Sequence, residues 1–198
     1  MPQVPLLLIV SGPAGVGKTT LCTRMLEAYP SRLHRAITAT TRNPRPGERE
    51  GVDYYFLTRE AYNKAVAAGE FYEYAQVHGN GYGTFKHEIL ERLSRGEDVL
   101  LNIDVQGAES YRVAAMEDPL IAQSLVTLIV VPESLDALRQ RMVSRGHDAP
   151  EVVAHRLKNA EAEIAHQHHF DHCIVSATKD ADFAAAQAIY LQEKKARG

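Results

Sequence analysis

The chain holds 198 residues, 45% of them apolar and 24% charged, with 13 Gly and 9 Pro, an ordinary globular composition that excludes wholesale disorder, collagen-like and low-complexity architectures. Its 22 Lys and Arg against 25 Asp and Glu leave a formal charge of −3, which argues against a general nucleic-acid coat. Only Cys22 and Cys173 are present, too few for a disulfide scaffold, and no run approaches the roughly 20 apolar residues that span a bilayer; the expectation is one cytoplasmic domain.

Val4 to Val10 reads as a short buried strand, a continuous apolar run stopped by Ser11-Gly12-Pro13. Nothing basic precedes it, so it is too short and wrongly flanked for a signal peptide. A helix pattern follows, with Leu21, Met25 and Ala28 on one face. Arg35 to Thr40 reads as a strand, 41–53 as turn-rich and polar, and Tyr54–Phe56 as a strand. Thr58 is placed to cap a helix that runs to about Ala68. Phe71 to Val77 alternates like a half-exposed strand, and Gly79-Asn80-Gly81 reads as a turn. A short helix over 86–94 precedes buried strands at Val99–Ile103 and Leu125–Val131. Ser134 then caps a helix carrying Leu135, Leu138 and Met142. Asp148-Ala149-Pro150-Glu151 has capping-box spacing before a helix whose face is Val153, Leu157, Ala160 and Ile164. Cys173–Val175 is a fourth apolar strand, and a last helix covers about Asp182 to Lys194.

Short apolar strands alternating with helices predict an α/β fold, a parallel sheet with helices on both faces. The stretch 38–84 breaks that rhythm and reads as a small inserted lobe. Charge is uneven: residues 31–50 carry five Arg against two acids, and 135–158 carry five bases against three acids. Two basic patches on a slightly acidic chain point to specific anion sites.

Gly12-Pro13-Ala14-Gly15-Val16-Gly17-Lys18-Thr19 fits G-x-x-x-x-G-K-[ST] in full, between a predicted strand and a predicted helix. The glycines let backbone N–H groups converge on a phosphate, and the helix N-terminus adds partial positive charge. Lys18 supplies a full charge to the terminal phosphates, and the Thr19 hydroxyl is suited to Mg²⁺. The pattern announces a nucleoside triphosphate. The absence of N-K-x-D in the sequence lowers a GTPase reading.

Residues 40–56 contain Thr40-Thr41-Arg42-Asn43-Pro44-Arg45-Pro46-Gly47-Glu48 and Gly51-Val52-Asp53-Tyr54-Tyr55-Phe56. Arg42 and Arg45 lie in a Pro-restricted loop where both forks can face one phosphate. With these runs the chain resembles the guanylate kinases, enzymes that phosphorylate GMP at the expense of ATP. The likeness continues through Gly81-Tyr82-Gly83, Ile103-Asp104-Val105-Gln106-Gly107, Arg141–Gly146 and Arg156–Ala160, and so covers most of the chain, about residues 4 to 190.

The resemblance implies a P-loop NTPase-type fold and one domain over 4–194. Its core would be 4–37, 85–134 and 161–194, with a GMP-binding lobe at 38–84 and a helical lid at 135–160. It implies ATP binding by 12–19 together with Thr20, and a grip on the GMP phosphate by Arg42, Arg45, Tyr54 and Tyr82. It assigns base choice to Glu73, helped by Thr38 and Thr84: guanine offers N1–H and N2–H₂ donors that a carboxylate accepts, whereas adenine offers an acceptor at N1. It puts Arg141, Arg145 and Arg156 over the ATP phosphates, joining Lys18 and Arg42 as catalytic groups. It places Asp104, at the end of a buried strand, near the substrate and Mg²⁺. The reaction implied is Mg²⁺-dependent phosphoryl transfer from ATP to GMP, with dGMP as a second acceptor. The partners implied are these nucleotides, in a monomer or homodimer, with neither nucleic acid nor membrane.

Two positions depart from the family pattern. Asn102 stands where an acid is usual, which bears on guanine selection, and Ser176 stands where an Asn near the adenine is usual. The histidines at 166, 168, 169 and 172 lack the Cys partners and spacing of a zinc site and read as solvated. Two rivals stay open: a P-loop kinase of another phosphorylated small molecule, and a non-catalytic binding module of the same shape, which the intact Lys18 and Thr19 disfavour.

Overall fold

The structure, a computed structural model, describes residues 4–77, 79–144 and 149–198. In chain order the elements are β1 (Leu7–Ser11), α1 (Lys18–Ala28), β2 (Leu33–Arg35), β3 (Ala39–Thr40), β4 (Tyr55–Phe56), α2 (Arg59–Ala67), β5 (Phe71–Val77), β6 (Asn80–Phe85), α3 (Lys86–Ser94), β7 (Asp98–Asn102), α4 (Val105–Glu117), α5 (Pro119–Ser124), β8 (Leu125–Pro132), α6 (Leu135–Ser144) and α7 (Pro150–Ala165). After a 3₁₀ turn at Gln167–His169 come β9 (His172–Ser176) and α8 (Lys179–Ala196).

Five strands form a sheet in the order β2-β7-β1-β8-β9, parallel at every junction. β1 lies at its centre, and all five of its residues are buried. Alternation sends its neighbours to opposite faces. Leu8 and Val10 pack with Leu21 and Met25 of α1 and with Ala186 and Tyr190 of α8. Leu7 and Ile9 pack with Ile89 of α3, Ala108 and Tyr111 of α4 and Ile121 of α5. An apolar run two-sided in this way is what a strand covered by helices requires.

At the far end of this sheet from the phosphate loop, Asp98 is buried and fully engaged. It accepts from the Leu6 N–H at 2.8 Å, from the Tyr190 hydroxyl at 2.6 Å and from Lys194 Nζ at 2.9 Å. The carboxylate thereby ties α8 to the start of β1.

A second, mixed sheet has the order β4-β3-β6-β5. It carries α2 on one side, where Tyr62 and Ala65 meet Ala39 and Phe71. Thr58 caps α2 through the Ala61 N–H at 3.1 Å, and Ser134 caps α6 through the Ala137 N–H at 3.1 Å.

Several elements differ from the sequence reading. Arg35–Thr40 is not one strand. β2 pairs with β7, Ala36 still donates to the Leu100 carbonyl, and Thr38 accepts from the Tyr55 N–H, so the chain changes sheets across 36–38. Asn80 and Gly81 are not a turn but the start of β6. Gly81 lacks a side chain because a Cβ there would run into the Tyr62 ring. α4 and α5 were not read from periodicity, since α4 is only weakly amphipathic and α5 is only six residues long. Each has an aspartate cap: Asp104 accepts from Gly107 N–H at 2.8 Å, and Asp118 from Leu120 N–H at 2.9 Å ahead of Pro119. α8 begins at Lys179 rather than Asp182, with Thr178 as its cap. Asp148, and with it the expected capping box, lies outside the described residues; α7 starts at Pro150 after an N-cap Ala149 with no side-chain cap bond.

Candidate active site

The phosphate loop connects β1 to α1. Gly12 sits at φ 132°, a left-handed conformation suited to glycine, with its α-carbon against the Val130 carbonyl of β8. Val16 is buried while Ala14, Thr19 and Thr20 are exposed, and a concavity is lined by Ala14, Gly15, Gly17, Lys18, Thr19 and Thr20. Lys18 donates to the carbonyls of Gly12 and Pro13, the latter at 3.1 Å. Burial pushes its pKa down, opposed by the charges of Glu163, Cys22 and Asp104. A partly desolvated ammonium over a loop of converging amides is poised for polyphosphate oxygens.

Beside this loop a cavity is lined by Gly15, Val16, Thr20, Arg141, Ser176 and Asp182, among others. Arg141 reaches it from α6 because α6 packs onto the loop through Met142 and Leu138. Its guanidinium donates to Ser176 Oγ at 2.9 Å and to the Ala177 carbonyl at 3.2 Å. Ser176 Oγ in turn donates to Asp182 at 2.8 Å. Arg156 lies half-buried on α7, whose Val153 and Ala160 pack on α6. Arg145 lies outside the described residues.

A second cavity opens between α1 and the second sheet, lined by Thr19, Thr23, Arg35, Thr38, Tyr54 and Asn102, among others. Arg42 pairs with Glu48 at 2.9 Å and stacks over Tyr54 at 5.4 Å. Tyr54 and Tyr82 rings meet edge-on at 6.4 Å. The hydrogen bond to Glu48 raises the pKa of Arg42 and lowers that of Glu48. Glu48 also accepts the Arg45 N–H at 2.7 Å, so one carboxylate shapes the loop that carries both arginines. Arg42, Tyr54 and Tyr82 are brought together; Arg45 projects to solvent.

Glu73 on β5 faces Thr84 on β6 in register, and the Thr84 hydroxyl donates to its carboxylate at 2.6 Å. Burial raises the Glu73 pKa, the Thr84 bond lowers it, and the charge of Asp104 raises it. A half-buried carboxylate with one donor supplied by Thr84 is suited to accept further N–H groups. Asp104, beyond the end of β7, uses one oxygen to cap α4. With Thr19 it offers exposed hard oxygen donors, the donor set magnesium takes when phosphates and water complete its shell.

Sequence reasoning missed three contributors. Arg35, seen only as one of a basic group, donates to the carbonyls of Val52 and Asp53 and lines the second cavity. Glu48 was visible inside the quoted motif but had no role. Glu163 on α7 acts electrostatically on Lys18 and Asp104 across a helix with no motif.

Comparison with known proteins gives consistent matches. The sequence model of the family described as guanylate kinase matches residues 5–191. A guanylate kinase of Idiomarina loihiensis is 38% identical over 195 residues, covering 98% of this chain and 90% of that protein. One from Streptomyces coelicolor is 41% identical over 174 residues, covering 88% and 84%. The crystal structure of guanylate kinase from Anaplasma phagocytophilum superposes with a TM-score of 0.72 at 30% identity, covering 97% of this chain and 87% of that one.

Proposed function

The chain belongs to the guanylate kinase family, and on that premise we propose that it transfers the γ-phosphoryl group of ATP to GMP, giving ADP and GDP. The observation that carries the acceptor assignment is the Glu73–Thr84 pair, a half-buried carboxylate bonded by a fully buried hydroxyl. Guanine presents adjacent N1–H and N2–H₂ donors to such a carboxylate, and adenine presents an acceptor that would leave it unpaired.

The division of labour follows from position. ATP phosphates occupy the loop 12–20, with Lys18 turning from its own carbonyls to the β- and γ-oxygens. The adenosine end lies in the cavity bordered by Arg141 and Ser176. GMP lies in the second cavity, its phosphate held by Arg42, Tyr54 and Tyr82 with Arg45 swinging in, its base against Glu73, Thr84 and Thr38. Asn102 contributes a neutral acceptor at the mouth. The 38–84 segment serves as the GMP lobe and 135–160 as the lid.

An oxygen of the GMP phosphate, already anionic, attacks the γ-phosphorus in line as the bond to the β–γ bridging oxygen breaks. No general base is needed; positioning and charge neutralisation carry the step. Lys18, Arg141, Arg145 and Arg156 meet the charge spread over the transferring group. Thr19 and the free oxygen of Asp104 suit Mg²⁺, which when bound neutralises phosphate charge and orients the chain of oxygens. A cytoplasmic reaction fits nucleotide substrates of this kind.

A coupled assay with Mg-ATP and each of GMP, dGMP, AMP, CMP and UMP tests this reading. GMP is expected to be the preferred acceptor. Preference for AMP, CMP or UMP would remove the guanine assignment, and no turnover with any acceptor would leave a binding module.

A further inference from the structure

Ser176, where the sequence departs from the family pattern, has a partner on each side in the structure. The residue closes β9 and is buried. Its hydroxyl oxygen lies 2.8 Å from Oδ2 of Asp182, in the first turn of α8, and 2.9 Å from Nη1 of Arg141 on α6. Chemistry fixes both directions. A carboxylate has no hydrogen to give and a guanidinium has no lone pair to offer, so Ser176 donates to Asp182 and accepts from Arg141. The other Asp182 oxygen takes the Ala177 N–H at 2.9 Å, and the Ala177 carbonyl takes Arg141 Nη2 at 3.2 Å. One carboxylate thus fixes both the hydroxyl and the backbone that the arginine grips. All three side chains border the cavity beside the phosphate loop, together with Gly15 and Thr20.

We propose that Ser176 and Asp182 are positioning residues for Arg141 on the ATP side of the site. The proposal rests on the reading of Arg141 as a group that meets ATP. An asparagine has a carbonyl acceptor of its own, whereas a serine hydroxyl is a rotor that a neighbour must aim. Asp182 does the aiming: it takes the hydrogen, and a lone pair is left facing the guanidinium. The alternative acceptor for that hydrogen, the Val16 carbonyl, lies farther off at 3.4 Å. Hydrogen bonds in series polarise one another, so the carboxylate strengthens the Ser176–Arg141 link. An arginine already held in place loses less side-chain freedom when the nucleotide arrives. Its fork has N–H donors beyond those given to Ser176 and Ala177, and these are free to turn to ATP.

The test is steady-state kinetics with Mg-ATP and GMP on wild type, S176A, D182A, R141A and the two doubles that combine S176A or D182A with R141A, at a temperature where all are folded. S176A is expected to lower kcat/KM for ATP about fivefold, equivalent to about 1 kcal/mol, with KM for GMP changed less than about twofold. D182A leaves the hydroxyl in place but unaimed, and a fall of about two- to threefold is expected. In the R141A background neither change should have a further effect, because both act through the arginine. A loss of equal size with and without Arg141 would make Ser176 a direct nucleotide contact or a packing residue and overturn the proposal. A kcat/KM for ATP that rises in S176A would overturn it too, since the network would then be holding the arginine away from ATP. Should S176A fail to fold, D182A decides, and an unaltered kcat/KM for ATP in D182A refutes the network. R141A with wild-type kinetics for ATP removes the donor-site reading of Arg141 itself, whereas an impaired R141A beside unimpaired S176A and D182A refutes the positioning role alone.

Discussion

The Glu88 carboxylate accepts the Ile37 N–H at 3.1 Å, at the point where the chain crosses from one sheet to the other. Glu88 lies on α3, just after the chain leaves the second sheet, so one buried side chain grips both crossings. It also takes the Tyr55 hydroxyl at 2.9 Å and Arg92 Nε at 2.7 Å. Burial and the Glu88 bond push the Tyr55 pKa up to about 12, leaving it a firm donor. Glu88→Ala strands three donors, and a cost of about 3–5 kcal/mol is expected. Denaturant melts would show it, and hydrogen exchange at Ile37 would accelerate. Unchanged exchange there would mean that the crossing is held by something else.

Lys18→Ala should fold normally, because the lysine bonds only to backbone carbonyls of its own loop. Turnover of GMP should fall by about 10²–10³, by analogy with loss of one charge-stabilising donor in a transition state. Single-turnover kinetics at saturating nucleotide measures this; near-normal rates would remove the lysine from the chemistry.

Glu73→Gln should trade selectivity for stability. The folded-state pKa of Glu73 is raised by burial, so its stabilising proton is held fully below the unfolded carboxylate range and that contribution is lost as pH rises through the folded value. At pH 7–8 the ionised group is a net cost, and the neutral amide should melt about 2–4 °C higher. The gap should close as pH falls toward 4–5. KM for GMP should rise about 10–100-fold, the equivalent of about 1.5–3 kcal/mol for a charge-assisted bond. Thermal scans across pH and a GMP titration check both halves.

Asn102 borders the acceptor cavity with Thr38 and Tyr54 at the exposed end of β7. Its carbonyl accepts one hydrogen bond without the help of charge. Asn102→Asp is expected to raise kcat/KM for GMP about three- to thirtyfold, or about 0.7–2 kcal/mol. If instead wild type prefers another monophosphate and only the variant takes GMP, Asn102 marks a different acceptor.

Asp98→Ala should be among the most destabilising single changes, at about 3–5 kcal/mol. It strands the Leu6 N–H, the Tyr190 hydroxyl and Lys194 in a site where the carboxylate is only 3% exposed. Catalytic constants measured below the lowered melting point should be unaffected, since the cluster lies at the end of the sheet away from the phosphate loop.

The parts of this molecule legible in the sequence are those where chemistry and pattern coincide. The phosphate loop declares itself because its glycines and Lys18 stand at the spacing that anion binding between a strand and a helix requires. β1 and β8 are legible because burial on two faces makes them near-continuous apolar runs, broken only by Ser11 and Thr127. The crossing at 36–38 was not legible, because its extended backbone looks the same whichever sheet it joins. β6 was misread at its start because Gly81 signals a turn in local terms, whereas its small size answers to Tyr62, a residue 19 positions earlier. Arg42 and Tyr82 were assigned to one ligand from separate runs of sequence, but Glu48, which aims Arg42, acts through a bond that no spacing rule encodes.

Gly12 carries a consequence for how this sequence drifts. Any side chain there would overlap the Val130 carbonyl of a neighbouring strand, on a backbone already turned to φ 132°. Relief would require β8 to retreat from β1, and β8 is the strand that carries β9 and, with it, Ser176 of the cavity beside the loop. Every missense change in that codon should therefore be purged, whatever residue it specifies. Gly17, whose absent Cβ would meet nothing within 4 Å, is held to glycine by its φ of 115° alone. Two glycines of one motif thus evolve under different rules, the first policed by a neighbour and the second only by its own torsion.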